Sequence, residues 1–287
     1  MVTNSRYSGR KLRNNLFIVA STGAAVIGIA FLTIILWDLV TKGISALSPE
    51  LFTEITMPPD EKGGLANAIV GSLVLVVLAT FVGTPIGMLT GTYLAEYGRH
   101  TKLAMILRSL NDILLSAPSI VIGLFIYTAM VANMGHFSAY AGVLALAVIV
   151  IPVVVRTTEN MLLLVPNGLR EAASALGAPS AYVIRHVTWK AARTGIVTGV
   201  LLAVARISGE TAPLLFTSLN NSFWSIDVTK PFESMNEPIA TLPYVIAQYA
   251  GSPYKSWNEL AWGGALLITV TVLGISILAR YIGTERK

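Results

Sequence analysis

Arg206 and Glu210 stand four residues apart inside an apolar run, Gly195 to Ser218, that is long enough to cross a bilayer. Spacing of four places two side chains on one helix face, and an ionisable group at the bilayer centre costs about 2.5–3.5 kcal/mol on insertion scales. The run therefore has to offset two such costs. Pro213 follows three residues after Glu210; its ring cannot donate to the Gly209 carbonyl and crowds it. Irregular backbone is predicted beside the charged pair, which is tolerated at membrane depth only where protein buries it or water reaches it. The pair reads in two ways. It is either an internal salt bridge locking one helix to a neighbour or part of a substrate pathway, the default meaning of an intramembrane charge.

The elements that position this pair follow from composition. Of 287 residues 54% are apolar and 12% charged, the profile of an integral membrane protein rather than of a soluble domain. The net charge of +5 points to no nucleic-acid partner, since the basic residues sit near the ends of apolar runs. There is no cysteine, hence no disulfide, thiol nucleophile or thiolate-bound metal. His100, His136 and His186 are scattered over three loops, and no metal site is expected from them. No internal repeat and no low-complexity tract is visible.

Six segments reach the roughly 20 residues that span hydrocarbon: about 16–40, 68–93, 112–134, 140–163, 195–218 and 260–283. The first follows Arg6, Arg10, Lys11 and Arg13 and is too long for a cleavable signal core, so it reads as a retained helix. With the N-terminus inside, 15 of the 20 Lys and Arg fall on the cytoplasmic side, three of them from Arg280 onward. Lys42, Lys62, Lys230 and Lys255 fall outside and Arg206 within the membrane, so the positive-inside rule orients the chain with both termini cytoplasmic. The outer loops are acidic, with Glu50, Glu54, Asp60 and Glu61 before helix 2 and Asp227, Glu233, Glu237 and Glu259 before helix 6. Gly83, Gly87 and Gly91 form a seam on helix 2 for close helix packing. Ser116, Pro118 and Ser119 interrupt helix 3 and are read as a curve in it.

The inner loop Val165 to Thr194 is too patterned for a linker. Asn167 is expected as an N-cap, with Glu171 in the first turn where a carboxylate suits the helix dipole. Ala172, Ala173 and Ala175 give a narrow face, Gly177 a C-terminal stop, and Pro179-Ser180 the start of a second short helix through His186. The plain reading is an amphipathic helix on the headgroups, but Ala anchors poorly in lipid and small side chains suit a protein groove.

Glu171-Ala172-Ala173, three residues and Gly177 resemble the cytoplasmic signature of ATP-binding-cassette (ABC) importer permeases, the helix by which such a membrane subunit engages its ATPase. It sits in the matching loop, before the penultimate helix. The ending departs from that signature: Val187, Thr188, Trp189 and Lys190 stand where it closes on Leu and Pro, which leaves the way helix 5 begins undetermined. The run Ala205-Arg206-Ile207-Ser208-Gly209-Glu210-Thr211-Ala212-Pro213-Leu214-Leu215-Phe216-Thr217 is similar to that of the phosphate-import permeases, and this resemblance extends over essentially the whole chain. Ala-Pro-Leu-Leu-Phe-Thr and Phe223-Trp224 favour one of the two permease subunits of those importers over its companion, PstC.

The resemblance implies an all-α membrane protein of six transmembrane helices with the type I ABC importer permease fold and a coupling helix between helices 4 and 5. Residues 1–65 would form the N-terminal tail, first helix and outer loop, and 66–287 the permease core. It further implies a PstC-like permease partner, a PstB-like ATPase dimer and a PstS-like phosphate-binding protein, in a bacterial plasma (inner) membrane. Arg206 would serve phosphate translocation, with Glu210 and Thr211 beside it and Gly209 and Pro213 shaping the backbone; Glu171, Ala172, Ala173 and Gly177 would couple to the ATPase. No cofactor is expected in the chain itself: it has no G-x-x-x-x-G-K-S/T phosphate loop, so ATP and Mg belong to the partner ATPase and the chain is not an enzyme. Arg suits an oxyanion through its planar fork and permanent charge. Glu210 would hold Arg206 in a resting pair, or accept a hydrogen bond from hydrogen phosphate, which sulfate could not give. Rival readings are an ABC importer for sulfate, molybdate or another solute; a secondary transporter or channel with Glu210 as proton relay; and an assembly scaffold, which would leave Arg206 and Glu210 unexplained.

Overall fold

The structure is a computed structural model that describes residues 4–284 apart from 60, 100, 227 and 228. Asp60, His100, Asp227, Arg286 and Lys287 thus lie outside the described residues. Every spanning segment is helical, because lipid offers no partner for backbone polar groups and a helix satisfies them internally. The main elements are α1 (Asn4–Ala46), α2 (Ala66–Tyr97), α3 (Lys102–Ser116), α4 (Ser119–Met134), α5 (Ala139–Leu163), α6 (Asn167–Ala175), α7 (Ser180–Ile207), α8 (Ala212–Leu215), α9 (Leu242–Ala250) and α10 (Lys255–Thr284). Among the described residues five helices are long and apolar enough to cross a membrane, and six if the bent pair α3–α4 counts as one span.

α2, α5 and α7 form the centre. Leu75 and Ala79 of α2, Leu146, Val150 and Val154 of α5, and Ala203 and Ile207 of α7 pack into one buried cluster, which Ile122 of α4 and Leu214 of α8 complete. The glycine seam explains how closely α2 and α5 approach. A Cβ on Gly83 would lie 2.9 Å from Val150 Cγ1, and one on Gly87 2.7 Å from Val154 Cβ. One on Gly91 would lie 2.7 Å from the Val155 carbonyl oxygen. Between helices in lipid such van der Waals contact replaces the hydrophobic effect as the cohesive force. α1 stays exposed along nearly its whole length and meets α10 where Gly43 packs on Leu266.

Three expectations are corrected. Helix 3 is broken rather than curved: α3 and α4 meet at 105°, with Ala117 extended and Pro118 capping α4. Proline excludes its predecessor from the α region, and here nothing re-forms the lost turn. Next, the short helix expected through His186 is the beginning of α7, which runs on through a π-turn at Ile184–Thr188 to Ile207. Helix 5 therefore starts fifteen residues before the hydrocarbon-crossing stretch. Finally, α6 is capped by Pro166, Asn167 is its first helical residue, and Glu171 lies beyond the first turn.

The described residues between α8 and α10 are fastened to the helix bundle by hydrogen bonds. Ala139 and Tyr140 donate backbone N–H groups to Glu237 and Met235, Ile239 donates to Ser218, and Leu242 donates to Ser72 Oγ at 2.7 Å. Thr56 and Asn67 add bonds to the carbonyls of Ser222 and Asn221. Together these seat the described part of the long loop and α9 on the N-terminal ends of α2 and α5.

Candidate functional site

The charged pair sits where α7 stops. Arg206 lies in its last turn, Ser208 caps it, and the chain then leaves helical geometry from Gly209 to Thr211 before α8 begins. The Gly209 and Glu210 N–H groups still reach back, to the Arg206 carbonyl at 3.3 Å and the Ile207 carbonyl at 3.2 Å. Gly209 is thus within the break. Pro213 is not its cause: it occupies the first turn of α8, where a missing N–H costs nothing. Its place is fixed from the other side, since a Cβ on Gly123 of α4 would come within 2.6 Å of Pro213 Cα. The sharp bend after α3 thereby lays α4 against α8 and closes off the far side of the break.

Arg206 and Glu210 face different surroundings. The nearest approach is 3.9 Å, Nε to Oε1, with the Arg206 side chain 46% exposed and that of Glu210 17% exposed. Glu210 points into a cavity of about 10 Å³ walled by Ser72, Leu75, Ser208, Leu214 and Thr241, where the Thr241 hydroxyl has no hydrogen-bond partner. That space holds one water at most. The guanidinium fork is left free on the outer surface of the chain. Thr211 lines a neighbouring groove against α9 and α10 with Pro243, Ala247 and Thr269.

Two other ion pairs show what a structural lock looks like here. Arg170 of α6 donates to both oxygens of Glu96 at 2.8 and 3.2 Å and to the Leu162 and Val165 carbonyls at 2.8 and 2.6 Å. Arg108 of α3 donates to Glu159 of α5 at 2.7 Å and to the Leu94 carbonyl at 3.0 Å. Both carboxylates are buried and each pair joins different helices, whereas Arg206–Glu210 is long, local and half open. Sequence reasoning missed these locks. Their only sequence signal was two glutamates, Glu96 and Glu159, on the side otherwise rich in cations.

α6 stands out from the surface with no buried residue. Glu171 and Ala172 are exposed, Ala173 is half covered, and Leu169 and Leu176 present apolar side chains, Leu176 at 90% exposure. Gly177 ends the helix at φ +82°, a left-handed conformation that glycine adopts without strain. The Gly177 and Ala178 N–H groups then bond the Ser174 and Ala173 carbonyls, the 5→2 and 6→1 closure of a Schellman motif. Glu171, Ala172 and Gly177 are therefore displayed together, 35 or so residues in sequence from Arg206 and joined to it by the unbroken α7.

A polytopic bundle with a broken helix at its charged pair and an exposed helix at one end is the architecture of a transport permease. The family described as binding-protein-dependent transport system inner membrane component matches residues 83–285, which makes the chain a membrane subunit of that transporter class. The phosphate transport system permease protein PstA of Pasteurella multocida (strain Pm70) is 57% identical over 286 residues, covering 100% of both chains. That of Haemophilus influenzae is 57% identical over 99% of this chain and 98% of its own. The probable phosphate transport system permease protein PstA of Methanocaldococcus jannaschii is 36% identical over 95% and 94%. The chain belongs to the PstA family of transport permeases. Its fold is that of type I ABC importer permeases: the inward-facing MetNI methionine ABC transporter superposes with a TM-score of 0.59 at 20% identity, covering 76% of this chain and 92% of that one. An amino acid ABC transporter gives 0.53 at 19% identity over 76% and 92%.

Proposed function

We propose that this chain is the permease subunit of an ATP-driven importer of inorganic phosphate, forming the translocation pathway with a PstC-like permease and taking its energy from a separate PstB-like ATPase. The observation that carries this reading is full-length similarity to phosphate permeases combined with a half-exposed Arg206 at a helix break. The chain has no phosphate loop of its own, so hydrolysis belongs to the partner. Cations concentrate at the α6 end, which supports an orientation with that end and both termini on the cytoplasmic side of a bacterial inner membrane.

The packing of α6, α2 and α7 supports a route from ATPase to substrate. Closure of the ATPase dimer would move α6 through Glu171, Ala172, Ala173 and the Gly177 turn. Arg170 clamps α6 to α2 through Glu96, and α7 leaves the same corner as a single helix of 28 residues, about 42 Å long at 1.5 Å per residue. Its far end carries Arg206. A shift at Ser180 is thus delivered to the break at Gly209–Thr211 with few soft joints between, the kind of packed-element movement that alternating access requires. At the break, Arg206 would take the phosphate oxyanion in its planar fork, a geometry Lys cannot reproduce. Glu210 would keep the fork oriented at rest and release it to substrate, a small cost for a 3.9 Å contact.

Outside, the loop after α8 displays Phe223, Trp224 and Phe232 to solvent, which supports its use as a docking surface for a PstS-like binding protein over the alternative of a lid that only seals the pathway. The division into 1–65 and 66–287 is supported by the exposure of α1 but not by the segment after it, where Leu51 and Leu65 are fully buried against α9 and α10. The test is uptake in proteoliposomes holding the four-part complex: phosphate should be accumulated with ATP inside, and sulfate and molybdate should not. Uptake of sulfate or molybdate in place of phosphate would overturn the substrate assignment. ATP-independent uptake driven by a proton gradient would overturn the transporter class.

A further inference from the structure

A second site lies on the other side of α7. Between α7 and α2, at the end near α6, a cleft of about 470 Å³ is walled by Met88, Ile196, Val197 and Val200 and rimmed by Arg185, Lys190 and Arg193. These three cations are exposed, and among the described residues no carboxylate lies within the 4.0 Å of an ion pair to any of them. Trp189 is pinned in the wall by its indole N–H, which donates to Thr92 Oγ1 at 3.1 Å, and the Thr84 hydroxyl at the cleft has no partner.

The cleft is separate from the Arg206 site. Val197 precedes Arg206 by nine residues, two and a half helical turns, and so faces the opposite way. Leu202 and Gly199, which share the Arg206 face at spacings of four and seven, line a different groove with Thr157 and Met161. A bare oxyanion entering the cleft would leave water for aliphatic walls at a large cost. An amphiphile with an anionic head and an acyl chain matches both halves. Basic pockets between membrane helices at the cytoplasmic leaflet suit such lipids.

We propose that this cleft binds an anionic phospholipid of the inner leaflet, its phosphate held by Arg185, Lys190 and Arg193 and one acyl chain lying along Met88, Val197 and Val200. The placement in the inner leaflet rests on the orientation given under Proposed function; the pocket itself does not depend on the substrate. Occupancy ties the start of α7 to α2, at the joint through which ATPase movement would pass.

The test is photolabelling of the complete purified complex in phosphatidylcholine vesicles, using phosphatidylglycerol with a photoreactive acyl chain. Label is expected on Met88, Val197 or Val200, displaced by unlabelled phosphatidylglycerol but neither by extra phosphatidylcholine nor by millimolar inorganic phosphate. The triple change R185Q/K190Q/R193Q should weaken binding on the order of 100-fold, about 5-fold per cation. Val200→Trp, which fills the cleft and leaves the cations in place, should also abolish labelling of Met88 and Val197. Four results would overturn the proposal: no label in the assembled complex, equal labelling by phosphatidylcholine, displacement by inorganic phosphate, or full labelling of the triple variant. A complex that takes the label but imports no phosphate would remove the transport reading and leave this site standing.

Discussion

Replacing Arg170 by Met tests whether the clamp between α6 and α2 transmits force. In the wild type, Arg170 makes two bonds to Glu96 and two to backbone carbonyls, with side-chain exposures of 15% for Arg170 and 8% for Glu96. Arg170→Met deletes these four bonds and a fifth, to Asn167 Oδ1 at 3.3 Å, and strands a buried carboxylate. Removing one partner of a buried pair costs about 3–5 kcal/mol, and the lower end applies at a membrane surface where water can reach Glu96. A loss of about 3 kcal/mol shifts the balance between clamped and free α6 by roughly 150-fold. Binding-protein-stimulated ATP hydrolysis should fall at least ten-fold while the complex still assembles. Arg170→Met with Glu96→Met replaces the stranded charge by apolar contact and should restore stability but not stimulation. The assay is ATPase activity of reconstituted complex with and without loaded binding protein, beside thermal unfolding. Wild-type stimulation in Arg170→Met would refute the reasoning, because α6 would then be shown to move α2 without the clamp.

Ala172 is exposed on α6, so Ala172→Arg should leave folding intact and abolish ATPase binding, measured as co-purification of the two subunits; retained co-purification would exclude α6 as the docking element. Ala173 is half covered by its own chain and is a less clean probe. Gly87→Val puts a methyl-bearing carbon 2.7 Å from Val154 Cβ and should destabilise by about 1–3 kcal/mol through overpacking, whereas Gly274→Val, with nothing within 4 Å, should leave the melting temperature unchanged. Trp224→Ser with Phe232→Ser should weaken binding-protein affinity in pull-down or titration without affecting assembly, both rings being exposed on the outer loop.

Much of this architecture is legible in the sequence because the bilayer imposes it: span lengths and the spacing of Gly83, Gly87 and Gly91 each answer to a single physical demand. Hydropathy marks only the hydrocarbon-crossing stretch, however, and residues 180–194 carry Arg185, His186, Lys190 and Arg193, so the early start of α7 was hidden. The Ser-Ala-Pro-Ser tetrapeptide at 116–119 marks an interruption, yet curve and 105° break share that signal; what decides is the packing of Gly123 on Pro213, ninety residues away. The break after Arg206 was foreseen for the wrong reason, since α7 ends before Pro213 can act on it. The clamps Arg170–Glu96 and Arg108–Glu159 join residues 74 and 51 apart and left no local pattern at all.

The central claim is that Arg206 is the cationic contact for substrate, and phosphate uptake by reconstituted complex tests it most directly. Arg206→Gln should assemble and stop uptake, and Arg206→Lys should restore only part of it, because the charge returns without the bidentate fork. If the pair were only structural, Arg206→Gln would be worse than Arg206→Gln combined with Glu210→Gln, which leaves no unpaired charge. The account predicts that the double variant assembles and transports no better than Arg206→Gln alone. A double variant that carries phosphate at the wild-type rate would contradict it.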